Sequence, residues 1–265
     1  MITLDGIKDT EFGLKALIEH ENPLNAEITH KTLKVPGKDG LYYFGSDINE
    51  KPFLLTFDVL EDSPTRVQHK LNDFIAHLYD AYGQPKLLKA VFDYEPDVYY
   101  MIRVNARITP QRMYGLSQIQ IPFVAYDPYK RSVAYADEVR WGSKDITFMS
   151  HYKLGHPGSD GLKTITAPTT LNIYTDGLVN KPIIEITGSA TNLKLSTNGY
   201  EINLGTFTNT SWVIDCETYT VKKNGVNTFL ANLRDFILLK GNNQVQISGT
   251  GINISIHIKL RDKYN

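Results

Sequence analysis

The sequence predicts a mainly β protein of two domains that carries a single packed helix. Three observations give that class. Only one stretch, Ser63 to Gly83, repeats apolar residues with a period near 3.6. The other patterned segments alternate with period two, or run as short apolar stretches between turn residues. A chain of 265 residues with 42% hydrophobic content is also long enough to fill two cores.

Taken in order, the first β-like runs are Leu14–His20 and Ala26–Val35, the second alternating Glu27, Thr29 and Lys31 against Ile28, His30 and Thr32 and so half buried at most. Val35-Pro36-Gly37-Lys38-Asp39-Gly40 and the stretch from Leu41 to Glu50, with Tyr42, Tyr43 and Phe44, read as a projecting loop. Pro52–Leu60 is the next strand and leads into the helix. Ser63 stands where its hydroxyl would cap the first turn, Pro64 suits the first helical position, and Gly83 suits a left-handed C-terminus. Val67, Leu71, Phe74, Ile75, Leu78, Tyr79 and Tyr82 fall on one face, which must be buried. Lys86–Phe92 and Tyr99–Ile108 flank the turn Asp93-Tyr94-Glu95-Pro96-Asp97 as a hairpin, and Leu116–Tyr126 alternates Ile119, Ile121 and Phe123 inward.

From Ser132 to Ala167 the pattern weakens, and the expected domains are 1–133 and 134–265. Strand candidates then recur without a helix: Thr170–Tyr174, Pro182–Thr187, Leu193–Leu195, Tyr200–Leu204, Trp212–Asp215, Thr218–Lys222, Phe236–Leu239, Val245–Ser248 and Ile252–Lys259. That spacing is the mark of a β-sandwich. Asn198-Gly199 and Asn224-Gly225 each sit between candidates as type I′ turns, because both central residues must take positive φ. Whether Ile252–Lys259 packs in the second domain or returns to the first is open at this level.

Charge and composition exclude several functions. The chain holds 28 basic and 29 acidic residues, a net charge of −1, so there is no electrostatic footprint for nucleic acid or an anionic membrane. The amino terminus lacks the basic and apolar regions of a secretory signal, and no stretch reaches the ~18 apolar residues of a membrane span, so synthesis in the cytosol is expected. Cys216 is the only cysteine, which excludes an internal disulfide and reads as a buried strand residue. The 16 tyrosines suit both strands and wet protein interfaces.

No motif assigns a reaction. His69, Asp73 and His77 form one stripe at helical spacing, a conceivable metal site, yet it lies opposite the apolar face, where such pairs normally serve the surface. His151, His156 and Asp160 match no helix face and sit among loop residues. Asp93 with Asp97, or Glu61 with Asp62, could pair as in glycoside hydrolysis, but acids beside Pro or before a helix usually belong to turns and caps. Trp141 and Trp212 could stack on sugar, with core filling as the plainer role. Asn209-Thr210-Ser211 and Asn253-Ile254-Ser255 match glycosylation acceptors, which carry no weight without a secretory signal. No catalytic, cofactor-binding or metal-ligating residue is therefore assigned, and no cofactor is expected.

Several features, in order along nearly the whole chain, resemble the distal tail protein (Dit) family of siphophages of Gram-positive bacteria. They are Val35-Pro36-Gly37-Lys38-Asp39-Gly40, the single helix after a strand, Tyr99-Tyr100-Met101-Ile102-Arg103-Val104, Pro122-Phe123-Val124-Ala125-Tyr126-Asp127-Pro128-Tyr129-Lys130-Arg131, Ile183–Thr187, Trp212-Val213-Ile214-Asp215-Cys216-Glu217 and Phe236-Ile237-Leu238-Leu239-Lys240-Gly241-Asn242-Asn243. The resemblance implies a tail-tube-like β-sandwich or barrel with one helix over 1–133, and a galectin-like β-sandwich over 134–265. It implies a non-enzymatic virion protein at the distal end of the tail, assembled as a homo-hexameric ring. That ring would join the tail tube protein to the tail-associated tip protein and anchor receptor-binding proteins. The alternatives are a carbohydrate-binding module for host cell-wall polymer, resting on Trp141 or Trp212, and a glycoside hydrolase using Asp93 and Asp97. The loop Lys144–Ala167 could form an arm to a neighbour.

Overall fold

In a computed structural model that describes residues 1–112, 116–139, 150, 152, 161–231 and 233–265, the chain divides into two units, Met1–Lys130 with Asn265, and Arg131–Tyr264. The first unit contains β1 (Ile2–Leu4), β2 (Ile7–Lys8), β3 (Lys15–Ala16), β4 (Ile28–Leu33), β5 (Tyr42–Ile48), β6 (Lys51–Leu60), α1 (Pro64–Leu78), β7 (Leu88–Phe92), β8 (Glu95–Val104), β9 (Thr109–Arg112) and β10 (Leu116–Ala125). The sheet runs β2-β1-β7-β8-β10-β6-β3, with β9 also on β10. Aromatic and β-branched residues at alternate positions, such as Phe53, Phe57 and Val59 on β6 and Ile119, Ile121 and Phe123 on β10, turn inward. They join Val67, Leu71, Phe74 and Leu78 of α1 in one core. Phe74 is fully buried, with its ring 5.1 Å from Phe57 and 5.3 Å from Phe12.

α1 is shorter than its periodicity suggests. Pro64 opens it after an extended Ser63, whose hydroxyl makes no capping bond. The helix ends at Leu78, because Tyr79 is extended and Asp80 starts a turn in which its Oδ1 accepts from the Tyr82 and Gln84 amides at 2.9 and 2.8 Å. An Asp side chain that satisfies nearby backbone donors competes with further helix. Gly83 takes its positive φ of 74° inside this turn, and Tyr82, expected on the buried face, is 89% exposed.

Two other expectations change. The stretch after Gly40 is not an irregular loop, since β5 pairs antiparallel with β4 in a sheet of its own. Strand β8 begins at Glu95 rather than Tyr99, because Phe92 pairs with Glu95 and Asp93-Tyr94 alone make the turn.

Strand β11 (Lys130–Ser132) spans the boundary, and the second unit continues through β12 (Lys163–Ile165), β13 (Thr169–Thr175), β14 (Ile183–Thr197), β15 (Tyr200–Asp215), β16 (Thr220–Lys223), β17 (Val226–Thr228), β18 (Gly241–Lys259) and β19 (Lys263–Tyr264). Its sheet runs β12-β18-β14-β15-β16-β17, with β13 beside β12 on the same edge of β18. Candidates separated by Gly and Asn merge: Pro182–Thr187 with Leu193–Leu195, Tyr200–Leu204 with Trp212–Asp215, and Val245–Ser248 with Ile252–Lys259. Register shifts between Gly188 and Lys194 show that the interruptions are bulges, which bend strands without ending them. Residues before and after the bulge, Ile184 and Ile186 with Leu193 and Leu195, share one core. Gly188 is required there, since a Cβ would lie 2.2 Å from the Asn253 carbonyl oxygen at a φ of 138°. Ile252–Lys259 belongs to this unit through its pairing with β14. Phe236–Leu239 is not a strand, as only Leu238 bridges, to Asn180.

Both Asn-Gly turns form as read, with φ of 51° and 84° at Asn198-Gly199 and 50° and 79° at Asn224-Gly225. The first residues of the unit are fastened by polar contacts. Arg131 forks onto Glu217, with Nη1 2.7 Å from Oε2, His257 Nε2 lies 2.9 Å from Asp137 Oδ2, and Arg261 donates to the Ser132 carbonyl at 3.0 Å.

Candidate interaction surfaces

Among the described residues, the chemically tempting side chains are not assembled into a reactive centre. His69 and Asp73 are exposed on α1, while His77 is half-buried with its ring 5.2 Å from Phe12. Among the described residues no three His, Cys, Asp or Glu side chains are grouped to hold a metal ion. Glu61 forms an ion pair with Lys70, whose hydrogen bond holds its carboxyl below the usual range, and Asp62 pairs with Arg66 at 3.2 Å. Asp93 is an exposed turn residue whose amide donates to the Met1 carbonyl, while Asp97 stands on β8. Burial pushes the Cys216 thiol up to about 12, with the Asp215 charge acting in the same direction, so it is inert at neutral pH. Trp212 is 4% exposed and packs edge-on against Phe207 at 5.9 Å, which makes it core. Trp141, His151, His156, Asp160 and most of the loop Lys144–Ala167 lie outside the described residues.

What the structure does present is surface. Every residue of β4 is exposed, and every residue of β5 except Gly45. Ile28 stands opposite Ile48, Leu33 opposite Tyr42, and Thr32 opposite Tyr43, with Phe44 67% exposed. Local polar links keep the ribbon in register: Lys31 pairs with Asp47 at 2.6 Å, Thr29 accepts from Asn49 at 2.9 Å, and the Lys38 amine lies 3.7 Å above the Tyr42 ring. A two-stranded ribbon is marginal by itself in water, and apolar side chains displayed together on one make it a candidate association surface. Tyr42, Tyr43 and Phe44 were readable as exposed aromatics; the strand carrying them was not.

One buried group escaped the sequence reading. Lys51 is 1% exposed, and its Nζ donates to the Tyr100 hydroxyl at 2.8 Å, with the Tyr100 and Phe53 ring centroids at 4.5 and 5.5 Å. The signal was available, because Lys51 is in phase with the inward residues Phe53, Leu55, Phe57 and Val59.

Comparison with known proteins gives the following. Residues 6–125 match the phage tail protein RIFT-related domain. No curated protein matches the chain. Among solved structures, the SPP1 Dit (gp 19.1) protein, described as a paradigm of the hub adsorption apparatus in phages infecting Gram-positive bacteria, superposes with a TM-score of 0.70 at 14% identity, covering 100% of this chain and 98% of that one. A chain of the phage P2 baseplate in its activated conformation with calcium gives a TM-score of 0.47 at 13% identity, covering 94% and 90%. The fold of the whole chain is therefore that of the SPP1 protein.

Proposed function

We propose that this chain is a member of the distal tail protein family and a structural virion protein of the phage tail tip, a reading supported by the RIFT-related match over residues 6–125 and by the end-to-end fold likeness to SPP1 Dit. It acts by assembly and not by catalysis. Six copies close into a hub ring that joins the tail tube to the tail-associated tip protein and carries receptor-binding components. The observation that carries this reading is the full-length likeness, since it embraces both units. The units of the working protein are taken as a ring-forming domain over 1–133 and an outward sandwich over 134–265.

A ring needs two different, mutually complementary surfaces on each copy. The exposed β4–β5 ribbon supplies an apolar one, and the polar face of α1, with His69 and Asp73, supplies a candidate for the other. The carbohydrate-binding alternative loses one of its two supports, because Trp212 is enclosed in the core. Electron microscopy of the purified full chain tests the hub: six-fold rings are expected, and particles no larger than one copy would count against it.

A further inference from the structure

We propose that Lys51 is a protonation-sensitive link across the seam of the first unit's sheet, and that the fold becomes more stable when this buried amine gives up its proton. At the seam β8 and β10 share a short pairing, Val104 with Phe123 and Arg103 with Val124. On the other side of β10, β6 starts with Lys51 opposite Ala125. The hydrogen bond from Lys51 Nζ to the Tyr100 hydroxyl thus joins β6 to β8 from inside, across the short β8–β10 pairing. It also lies directly after the exposed β4–β5 ribbon in the chain, so the link sits at the ribbon's base.

The site is poorly matched to a cation. Among the described residues no carboxylate bonds to the Lys51 amine, whose acceptor is a neutral phenol. Glu95, the acid that faces it from β8, is already paired with Lys130 at 2.5 Å, and Lys130 brings a second positive charge. Tyr94, in the β7–β8 turn, and Tyr100 are also nearby, with His20 bonded to the Tyr94 hydroxyl at 3.0 Å, and burial holds both phenols protonated above their ordinary range. Burial first, then the Lys130 charge, lowers the Lys51 pKa from 10.5 to about 8, with Glu95 acting the other way.

The direction of the pH effect follows from linkage. Below about pH 8 folded and unfolded chains both hold the proton, and the cost of the buried charge is fully present. Between about 8 and 10.5 the unfolded chain holds one more proton than the folded chain, so stability rises with pH through that window. This is independent of the hub role. The test is denaturant unfolding of the full chain and of Lys51→Met, at one protein concentration, in steps from about pH 7 to about pH 10. The ratio of folding constants, wild type over variant, is expected to rise on the order of tenfold per pH unit above pH 8; a ratio that stays constant would overturn the proposal. Should Lys51→Met not fold, NMR of the wild type with labelled lysine Cε decides. One resonance titrating near pH 8 supports the link, and all lysines titrating together above about pH 10 overturns it.

Discussion

A single buried amide, Asn243, holds the segment that reads as a strand in the sequence and is not one. Its Nδ2 donates to the carbonyls of Leu239 and Gly241 at 2.7 and 3.1 Å, and its Oδ1 accepts from the Leu239 amide at 2.8 Å and from Asn198 Nδ2 at 3.1 Å. Phe236 and Leu238 are therefore held in the core by the Asn243 bonds at Leu239 together with one backbone bridge from Leu238 to Asn180, instead of by a full ladder. Asn243→Ala leaves buried backbone groups unpaired and is expected to cost about 1–3 kcal/mol in denaturant unfolding of the second unit. In the first unit Phe74→Ala should cost about 3–5 kcal/mol, since the ring fills space between Phe57 and Phe12 that rigid strands cannot close. A change below 1 kcal/mol on the same curve would show that the helix is not packed as described. At this scale the sequence displayed which way residues face but not what compensates a polar one. Phe74 was legible from period alone, whereas Lys51 and Asn243 depend on partners about 49 and 4 residues away in the chain that no local pattern announces.

Elements were legible where their chemistry is local. The Asn-Gly turns were read correctly because positive φ at two adjacent residues is a demand that few other pairs meet. The same local reading divided three strands that are continuous, because Gly188, Gly205 and Gly249 interrupt the alternation that marks a strand, while bulges carry the ladder past them. The close approach at Gly188 makes this testable. Gly188→Ala would force a Cβ against the Asn253 carbonyl, and it is expected to destabilise the second unit by roughly 2–4 kcal/mol while leaving the first unit's transition in place. An unaltered second transition would mean that β14 and β18 do not approach as closely as the geometry has it. The end of α1 was missed for a related reason, since the turn made by Asp80 stops a helix whose apolar period continues to Tyr82.

For the whole molecule, the mainly β class and the single helix could be read from periodicity, and the family resemblance lay in the order of loose strand-and-turn motifs. The candidate association surface was half visible, as exposed aromatics without the ribbon that displays them. That ribbon is the natural target of a variant. Tyr43→Ser combined with Phe44→Ser removes exposed apolar surface and should change the stability of one copy by no more than about 0.5 kcal/mol. In the hub account it abolishes assembly, and an unchanged assembly would move the contact elsewhere. The most direct measurement is the mass of the unmodified protein in solution, by light scattering across a range of concentrations. The account predicts a species of six 30.0 kDa chains, or a monomer in equilibrium with it. A single 30.0 kDa species at every concentration would contradict it.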